Sequence, residues 1–443
     1  MHFFSVKISP RIAVAPFILV VMFAAANSAL AQTETVLYSF GLQAAQGATP
    51  WGSLIIDQEG NFYGTTEQGG AYSMGTAFRL SPPATKSGAW TETVLYSFGS
   101  QSGDGVNPYD SLVMDKEGNL YGTTYGGGAN NVGTVFKLSP EKSGTWTETV
   151  LHGFGGAPND GSLPRAGLII DKQGNLYGTT ESGGANNAGT VFELSPEKSG
   201  AWTETVLYGF AGAPNDGSLP YAGLIMDKSG NLYGTTNEGG AYSWGTVFQL
   251  SPENGGNSAN GGNGGAWTET VLYSFGTQSG DGVNPYGSLI MDTAGNLYGT
   301  TTGGGAHIYG AVFKVSPPAG GSGAWTETVL YSFGAYSVDG THPFDGLIMD
   351  KGGNLYGTTT GGGGYSVGTV FQMSPPSAKS SAWTEKVLYS FGRKTSTGEE
   401  PWDSLTMDKE GNLYGTTTEG GATTHCDYGC GTVFKLSLEK SGT

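Results

Sequence analysis

The chain has 443 residues, of which 78 are glycine and 20 are proline, and the glycines follow no G-X-Y period, so a collagen triple helix is excluded. Aromatic residues make up 12% of the sequence, which is too many for a disordered chain, and this much glycine disfavours long helices. The formal net charge of −17 argues against a nucleic-acid partner, which requires a basic surface, and against electrostatic attachment to anionic lipid.

The first 31 residues have the features of a secretory leader. Lys7 and Arg11 precede an uncharged apolar run at 12–26, and small residues lead up to Ala31. We predict a signal peptide over residues 1–31, cleaved after Ala31. The alternative, an uncleaved anchor helix, is disfavoured because the run is short for a bilayer core of about 30 Å. No second long apolar stretch follows, so we expect a secreted or periplasmic protein without a membrane span.

A unit of about 58 residues recurs throughout the mature chain. A phrase of the type Trp-Thr-Glu-Thr-Val-Leu-Tyr-Ser-Phe marks each unit. Its glutamates are Glu34, Glu92, Glu148, Glu204, Glu269, Glu327 and Glu385. The one long interval carries a Gly- and Asn-rich insert at 254–265, which we interpret as a flexible loop extension. Each unit also holds four short runs rich in Val, Thr, Tyr and Phe, a composition that favours β-strands.

Four antiparallel strands in each of seven units predict an all-β fold, a seven-bladed β-propeller of four-stranded blades. The mature chain starts with a fourth-type strand at 33–40, whereas the last unit, 401–437, lacks one. We therefore expect the N-terminal strand to pair with the third strand of the last blade and close the ring, which removes two open sheet edges. One propeller domain over residues 32–443 follows. The rival interpretation is an open array of seven units.

Several repeated residues have structural explanations. Asp-x-x-Gly-Asn occurs in all seven units, and we predict that its aspartates cap hairpin turns, since the EF-hand spacing of a calcium site is absent. The glycine of Tyr-Gly-Thr-Thr is expected to lie beneath an aromatic ring. The repeated Trp is expected to anchor the outer edge of each blade, and the repeated Glu to place charge on the outermost strand.

Units of the form Gly-Asn-Leu-Tyr-Gly-Thr-Thr…Gly-Gly…Gly-Thr-Val-Phe-x-Leu-Ser-Pro resemble the Gloeo/Verruco (GloVer) extracellular tandem repeat over about residues 33–437. The resemblance implies an exported bacterial repeat protein, and it brings no assigned catalytic residues. Members often have a separable surface anchor. This sequence has no recognisable C-terminal anchor segment, so release or periplasmic residence is expected.

Two sets of loops meet on one face of a propeller, where ligands usually bind. In the loops that lead into each first strand, the residue after the proline is aromatic in six of seven units. The predicted ligand-binding residues of these loops are Trp51, Tyr109, Arg165, Tyr221, Tyr286, Phe344 and Trp402, and the loops between second and third strands add Trp244 and Tyr309. Rings beside carboxylates suit a glycan or a protein ligand. The alternative is that the post-proline rings are buried wedges between blades.

The sequence motifs indicate no catalytic residue, cofactor or metal. There is no nucleophile elbow, H-E-x-x-H, P-loop or dinucleotide motif, and the histidines fall in different units, with His152 in place of a strand tyrosine. Cys426 and Cys430 are the two cysteines, and export predicts a disulfide between them. The alternative is a metal held together with His425.

These features predict a monomeric, exported binding or interaction module for a glycan or protein ligand. A secreted propeller enzyme acting on polysaccharide, either a hydrolase or a lyase, is a second hypothesis, because two carboxylates suffice for glycoside hydrolysis. A structural envelope component is a third. Unlike groups gathered around one deep pocket would favour the enzyme, whereas a shallow aromatic rim would favour binding.

Overall fold

The strands of this protein form a closed ring of blades. A computed structural model describes residues 34–43, 45–85, 88–252, 266–321, 323–377, 380–392, 397–422, 426 and 428–438. Within these residues there is no helix, and the strands form seven four-stranded antiparallel sheets, which confirms the predicted seven-bladed propeller. The predicted signal peptide, residues 1–31, and the loop insert, residues 254–265, lie outside the described residues.

Each blade has an inner, a second, a third and an outer strand. The inner strands are Ile55–Ile56, Val113–Met114, Ile169–Ile170, Ile225–Met226, Ile290–Met291, Ile348–Met349 and Thr406–Met407. The second strands are Phe62–Thr66, Leu120–Thr124, Leu176–Thr180, Leu232–Thr236, Leu297–Thr301, Leu355–Thr359 and Leu413–Thr417. The third strands are Thr76–Ser81, Thr134–Pro140, Thr190–Pro196, Thr246–Pro252, Ala311–Ser316, Thr369–Ser374 and Thr432–Leu436. The outer strands of blades 1 to 7 are Thr91–Ser97, Trp146–Gly153, Trp202–Gly209, Trp267–Ser274, Thr326–Ser332, Thr384–Ser390 and Glu34–Ser39.

The N-terminal strand closes the ring, as predicted. Glu34–Ser39 pairs antiparallel with Thr432–Leu436, the third strand of blade 7. Phe40, which follows this strand, is fully buried, and its ring centroid lies 5.1 Å from that of Phe78 in blade 1. The open array is therefore wrong, because the two ends of the repeat region belong to one sheet.

The hairpin between inner and second strands is held by its aspartate, as predicted. In blade 1, Asp57 Oδ1 accepts hydrogen bonds from the backbone amides of Glu59 and Asn61, while Oδ2 accepts from the Asn61 side-chain amide and the Tyr63 hydroxyl. The bond from the Asn backbone amide recurs in all seven blades. These carboxylates are occupied as turn caps.

The hydrophobic core lies between neighbouring blades. One cluster joins Tyr121 and Val135 of blade 2 to Leu176 and Phe192 of blade 3. The Phe192 ring covers the glycine of Tyr-Gly-Thr-Thr, because a Cβ added at Gly178 would lie 2.6 Å from Phe192 Cζ. The expectation of an aromatic ring over this glycine is confirmed. Blade-to-blade packing of this kind gives the loops above it a rigid base.

Candidate ligand-binding face and axial channel

Two sets of loops interlock into one continuous face. An interblade loop runs from each outer strand to the next inner strand, and a central loop joins second and third strands. Two-residue ladders pair them within each unit: Gly47–Ala48 with Gln68–Gly69, Gly105–Val106 with Gly126–Gly127, Gly161–Ser162 with Ser182–Gly183, Gly217–Ser218 with Glu238–Gly239, Gly282–Val283 with Gly303–Gly304, Gly340–Thr341 with Gly361–Gly362, and Gly398–Glu399 with Glu419–Gly420.

Backbone hydrogen bonds then tie each central loop to the next interblade loop. Asn284 N donates to Trp244 O at 2.9 Å, and Thr49 N donates to Cys430 O at 2.9 Å across the closure of the ring. The donor is the residue before the proline, and it adopts a positive φ, 56° at Asn284 and 58° at Thr49. After this left-handed turn comes the proline, and the residue after the proline lines the axial cavity.

The seven post-proline residues lie together as one inner ring at the mouth of the axial channel. They are Trp51, Tyr109, Arg165, Tyr221, Tyr286, Phe344 and Trp402. Five of the centroid distances between successive aromatic rings fall between 4.3 Å, for Phe344 and Trp402, and 5.8 Å, for Trp51 and Tyr109. All seven side chains remain half-buried. They therefore contact each other around the axis while one side of the ring stays open to solvent.

Arg165 completes this ring where an aromatic residue is missing. Its guanidinium carbon lies 5.3 Å from the ring centroid of Tyr109, 5.2 Å from that of Tyr221 and 5.4 Å from that of Tyr286. Its Nη1 also lies 3.6 Å from Glu181 Oε2. Contacts of a cation with several aromatic faces are favourable. Arg165 therefore closes the mouth as a cation among rings.

Three aspartates, which the sequence analysis missed, lie one residue beyond the ring and face the channel. Asp110 accepts backbone hydrogen bonds on both oxygens, including one from Gly167 N at 2.7 Å, and Asp345 accepts from Ser404 N at 2.9 Å. Asp403 Oδ1 accepts from the Ser53 hydroxyl at 2.6 Å, whereas its Oδ2 is buried without a hydrogen-bond partner. An alignment of the repeats could have found these aspartates, because the other four units have a small residue at this position. The small residues are Gly52, Ala166, Ala222 and Gly287.

The enclosure of Asp110 and Asp403 favours the neutral forms of these two carboxyl groups. Burial, and next the negative charge of Asp345, raises the pKa of Asp403 well above its usual range. The same two causes raise the pKa of Asp110. The axial channel therefore carries less negative charge than three ionised aspartates would give it.

The channel has room for water and small ions. The cavity between the inner ring and the aspartates has a volume of about 50 Å³. A second chamber of about 190 Å³ lies deeper. It is lined by Asp110, Asp345, four serines, glycines and aliphatic residues, and the serines are Ser53, Ser111, Ser288 and Ser404. Small-molecule sites usually occupy roughly 300–1,000 Å³. The mouth is therefore too small for a sugar ring, and a larger ligand would contact the outside of the loop face.

We expect Asp403→Asn to be tolerated and Asp110→Asn to be destabilising. In Asp403→Asn the new amide replaces an oxygen that accepts nothing, and it removes a charge that the site disfavours. In Asp110→Asn a backbone amide that now donates to a carboxylate would face an NH₂ group, and an unpaired donor of this kind costs about 1–3 kcal/mol. Urea unfolding of both variants at pH 8 is the measurement. A greater loss for Asp403→Asn would contradict this assignment of roles.

An apolar crown surrounds the inner ring. It consists of exposed apolar side chains of the central and interblade loops: Leu42, Tyr72, Met74, Tyr242, Trp244, Ile308, Tyr309, Tyr336, Val338, Tyr365 and Tyr428. Trp244 is 48% exposed and rests on Gly276, and Tyr309 rests on Gly334 in the same way. Most of the crown belongs to blades 4 to 6. The central loops of blades 2 and 3 instead present Asn130, Asn131, Asn186 and Asn187. The structure thus separates Trp244 and Tyr309 from the inner ring.

The repeated glutamate does not place exposed charge on the outer strand, which corrects that expectation. Its side chain is half-buried or buried, while the flanking threonines are exposed. One carboxylate oxygen of Glu148, Glu204, Glu269, Glu327 and Glu385 is buried without a hydrogen-bond partner. Each of these glutamates interacts with the aspartate of the preceding interblade loop, for example Glu385 with Asp339. The reason is strand alternation, which directs Glu at the neighbouring blade.

Cys426 and Cys430 are joined by a disulfide in the central loop of blade 7. Both are packed in the cluster that contains Phe40, where the ring closes. His425, the third member of the alternative metal site, lies outside the described residues. Among the described residues, no helix has the length and apolar character needed to cross a membrane.

Three segments of the sequence match one known repeat family. Residues 23–248, 145–371 and 228–443 each match the Gloeobacter/Verrucomicrobia repeat. The chain belongs to this repeat family. The family resemblance predicted from the sequence is confirmed, and so is its tandem-repeat propeller architecture. No curated protein matches this Gloeobacter/Verrucomicrobia repeat protein.

Solved structures resemble the chain only distantly. A candidate oxidoreductase (glucose dehydrogenase) from Thermus thermophilus has 16% identity and a TM-score of 0.41, with 92% of this chain and 100% of that chain covered. A candidate 6-phosphogluconolactonase from Bacteroides uniformis has 13% identity and a TM-score of 0.47, with 78% of this chain and 88% of that chain covered. Neither likeness carries an argument about the chemistry of this repeat protein.

Proposed function

We propose that this protein is an exported binding module, secreted or periplasmic, whose loop face holds a neutral glycan. The observation that carries the proposal is the apolar crown, with Tyr242 54%, Trp244 48% and Tyr365 59% exposed. Large rings are rarely left this exposed together on a protein surface unless they meet a partner. The predicted leader at residues 1–31 supports export.

The crown and the inner ring together offer rings and polar groups side by side. Flat aromatic faces suit the apolar faces of sugars, and nearby acceptors suit their hydroxyl groups. Glu67 already accepts hydrogen bonds from Trp51 Nε1 at 2.8 Å and from the Tyr109 hydroxyl at 3.0 Å, so ring positions are fixed before a ligand arrives. Fixed rings lower the entropy lost on binding.

The charge of the face favours a neutral ligand. Among the described residues of the interblade and central loops, Arg165 is the one Lys or Arg side chain, and it is already engaged by aromatic rings and Glu181. The same loops carry the carboxylates Glu67, Glu181 and Glu238 and several interblade aspartates. An anionic polysaccharide would meet repulsion from this surface.

Binding is preferred to polysaccharide cleavage because the asymmetric carboxyl groups lie in the wrong place. Asp110, Asp345 and Asp403 lie beneath the inner ring, behind a cavity of about 50 Å³. A sugar held on the crown would be separated from them by the aromatic residues. A protein ligand also suits exposed rings, and it is an outcome of the test below.

The test is a glycan array carrying neutral and anionic oligosaccharides, followed by calorimetry on the best ligand. We expect binding to a neutral glycan and a loss of affinity of about 10-fold or more for Trp244→Ala, since central aromatic contacts dominate such interfaces. Ile56→Ala is the matched control, because Ile56 is exposed at the end of an inner strand, away from both sets of loops.

Three results would count against the proposal. They are no binding of any glycan, a preference for anionic glycans, and equal losses for Trp244→Ala and Ile56→Ala. A protein captured through Trp244 in the absence of any glycan binding would replace the glycan by a protein ligand.

A further inference from the structure

Four of the seven interfaces between blades share a three-residue arrangement. A tyrosine near the end of one outer strand, an aspartate of the following interblade loop and the glutamate of the next outer strand come together. The complete sets with tyrosine are Tyr96, Asp104 and Glu148; Tyr208, Asp216 and Glu269; Tyr273, Asp281 and Glu327; and Tyr331, Asp339 and Glu385. In each, the tyrosine hydroxyl donates to one oxygen of the aspartate at 2.8–2.9 Å.

The interface between blades 2 and 3 differs by one residue. His152 stands where the other sets have tyrosine, so an imidazole nitrogen, which donates or accepts according to its protonation, replaces a hydroxyl donor. His152 Nε2 lies 3.4 Å from Asp160 Oδ2 and makes no hydrogen bond. Asp160 Oδ1 and Glu204 Oε1 are also buried without a hydrogen-bond partner. Three polar atoms from two blades and their connecting loop are thus unsatisfied at one place.

We propose that His152, Asp160 and Glu204 bind a divalent first-row transition-metal ion such as Zn²⁺. One ligand atom from each residue lies within 4.8 Å of the other two. Ligand atoms around a tetrahedral ion at 2.0–2.1 Å lie roughly 3.4 Å apart, so small side-chain movements complete the set. Among the described residues, no other group of His, Cys, Asp and Glu side chains meets this geometry.

Burial and charge favour an ion at this position. The Asp160 side chain is 1% exposed and its Oδ1 accepts no hydrogen bond, and burial of a charged group without full hydrogen bonding is costly. A divalent cation neutralises two carboxylates and satisfies all three orphan atoms. Gly156 N, which donates to Asp160 Oδ2 at 3.1 Å, and the Phe154 ring, whose centroid lies 4.8 Å from that of His152, hold two of the ligands in place.

The donor set selects the class of ion. An imidazole nitrogen with two carboxylate oxygens suits Zn²⁺ and its first-row neighbours, whereas Ca²⁺ and Mg²⁺ take oxygen ligands. Three protein ligands leave one position for water, and the His152 side chain, 21% exposed, marks the side open to solvent. The ion would cross-link the outer strands of blades 2 and 3. The rival explanation is a protonated His152 paired with Asp160, which needs no ion.

Calorimetry with ZnCl₂ separates these two explanations, using chelator-treated, untagged protein. We expect one ion per chain, a higher melting temperature with Zn²⁺, and visible absorption bands with Co²⁺ as a probe. His152→Tyr restores the arrangement of the other interfaces, so it should fold while its affinity at this site falls at least about 100-fold. Tyr331→His is the matched gain-of-site variant, since Asp339 and Glu385 each retain an unpartnered oxygen, and it should bind two ions.

The outcomes are decisive in both directions. A folded parent protein that binds no Zn²⁺, or a His152→Tyr variant that binds as tightly as the parent, would overturn the site. Loss of binding in His152→Tyr with an unchanged melting temperature in the absence of metal would support it, because the substitution then affects the ion and not the fold.

Discussion

Removing residues 33–40 is expected to abolish stable folding of the propeller. The strand Glu34–Ser39 covers the third strand of blade 7, and its loss exposes a sheet edge. Its side chains also bridge three blades, because Glu34 accepts from the Tyr389 hydroxyl at 2.8 Å and the Tyr38 hydroxyl donates to Glu92 at 2.9 Å. Loss of the buried Phe40 alone removes about 3–5 kcal/mol. A domain is stable by only about 5–15 kcal/mol.

Thermal unfolding followed by circular dichroism measures this effect. A circular permutant that carries residues 33–40 after a short linker at the C-terminal end is the matched control. It retains the strand and changes only the connection, so its melting temperature should approach that of the parent. A deletion variant that melts like the parent, or a permutant that melts like the deletion variant, would contradict the closing role of this strand.

Most of the fold was predictable from the sequence, because each repeated unit has the same strands with the same pairing. The Asp-x-x-Gly-Asn turns, the glycine beneath Phe192 and the N-terminal closing strand depend on residues within one unit or on the count of strands. Such local features can be predicted from the sequence alone. The inner ring was equally predictable, since the residue after the proline is aromatic in six of the seven units.

Contacts between neighbouring blades were not predictable from the sequence in the same way. Glu385 follows a tryptophan and lies on an outermost strand, and this outer position predicted an exposed side chain. The strand instead turns this residue towards Asp339 of the preceding loop, and only the assembled ring brings the two together. Asp110, Asp345 and Asp403 were missed for a related reason, because three units acquire a carboxyl group at a position that is small elsewhere. Residues that depart from the repeat symmetry are found by aligning the seven units and comparing the residue types at each position.

We expect the free energy of unfolding to fall as pH rises, because of the glutamates that face interblade aspartates. Burial, and next the charge of the neighbouring aspartate, raises the pKa of Glu148, Glu269 and Glu327 to about 7 and that of Glu385 to about 8. The unfolded chain ionises these groups near 4.5, so it gains ionisation free energy that the folded chain does not. Their contribution to stability is therefore complete below about pH 4.5 and is lost as pH rises through about 7–8.

Urea unfolding between pH 5.5 and 8.5 tests this, with Glu385→Gln as the informative variant. Glutamine keeps the size, stays neutral and can donate to the unpartnered Asp339 Oδ1. After allowance for partial exposure, we expect it to stabilise the protein by about 1–3 kcal/mol at pH 8.5 and much less at pH 5.5. Glu117→Gln, on an exposed hairpin turn, is the matched control and should leave the curve unchanged. A parent protein whose stability is constant or rises between pH 5.5 and 8.5 would contradict this prediction. It would show that the paired carboxyl groups ionise in the folded protein without loss of stability. The interfaces between blades that pair Asp with Glu would then tolerate negative charge.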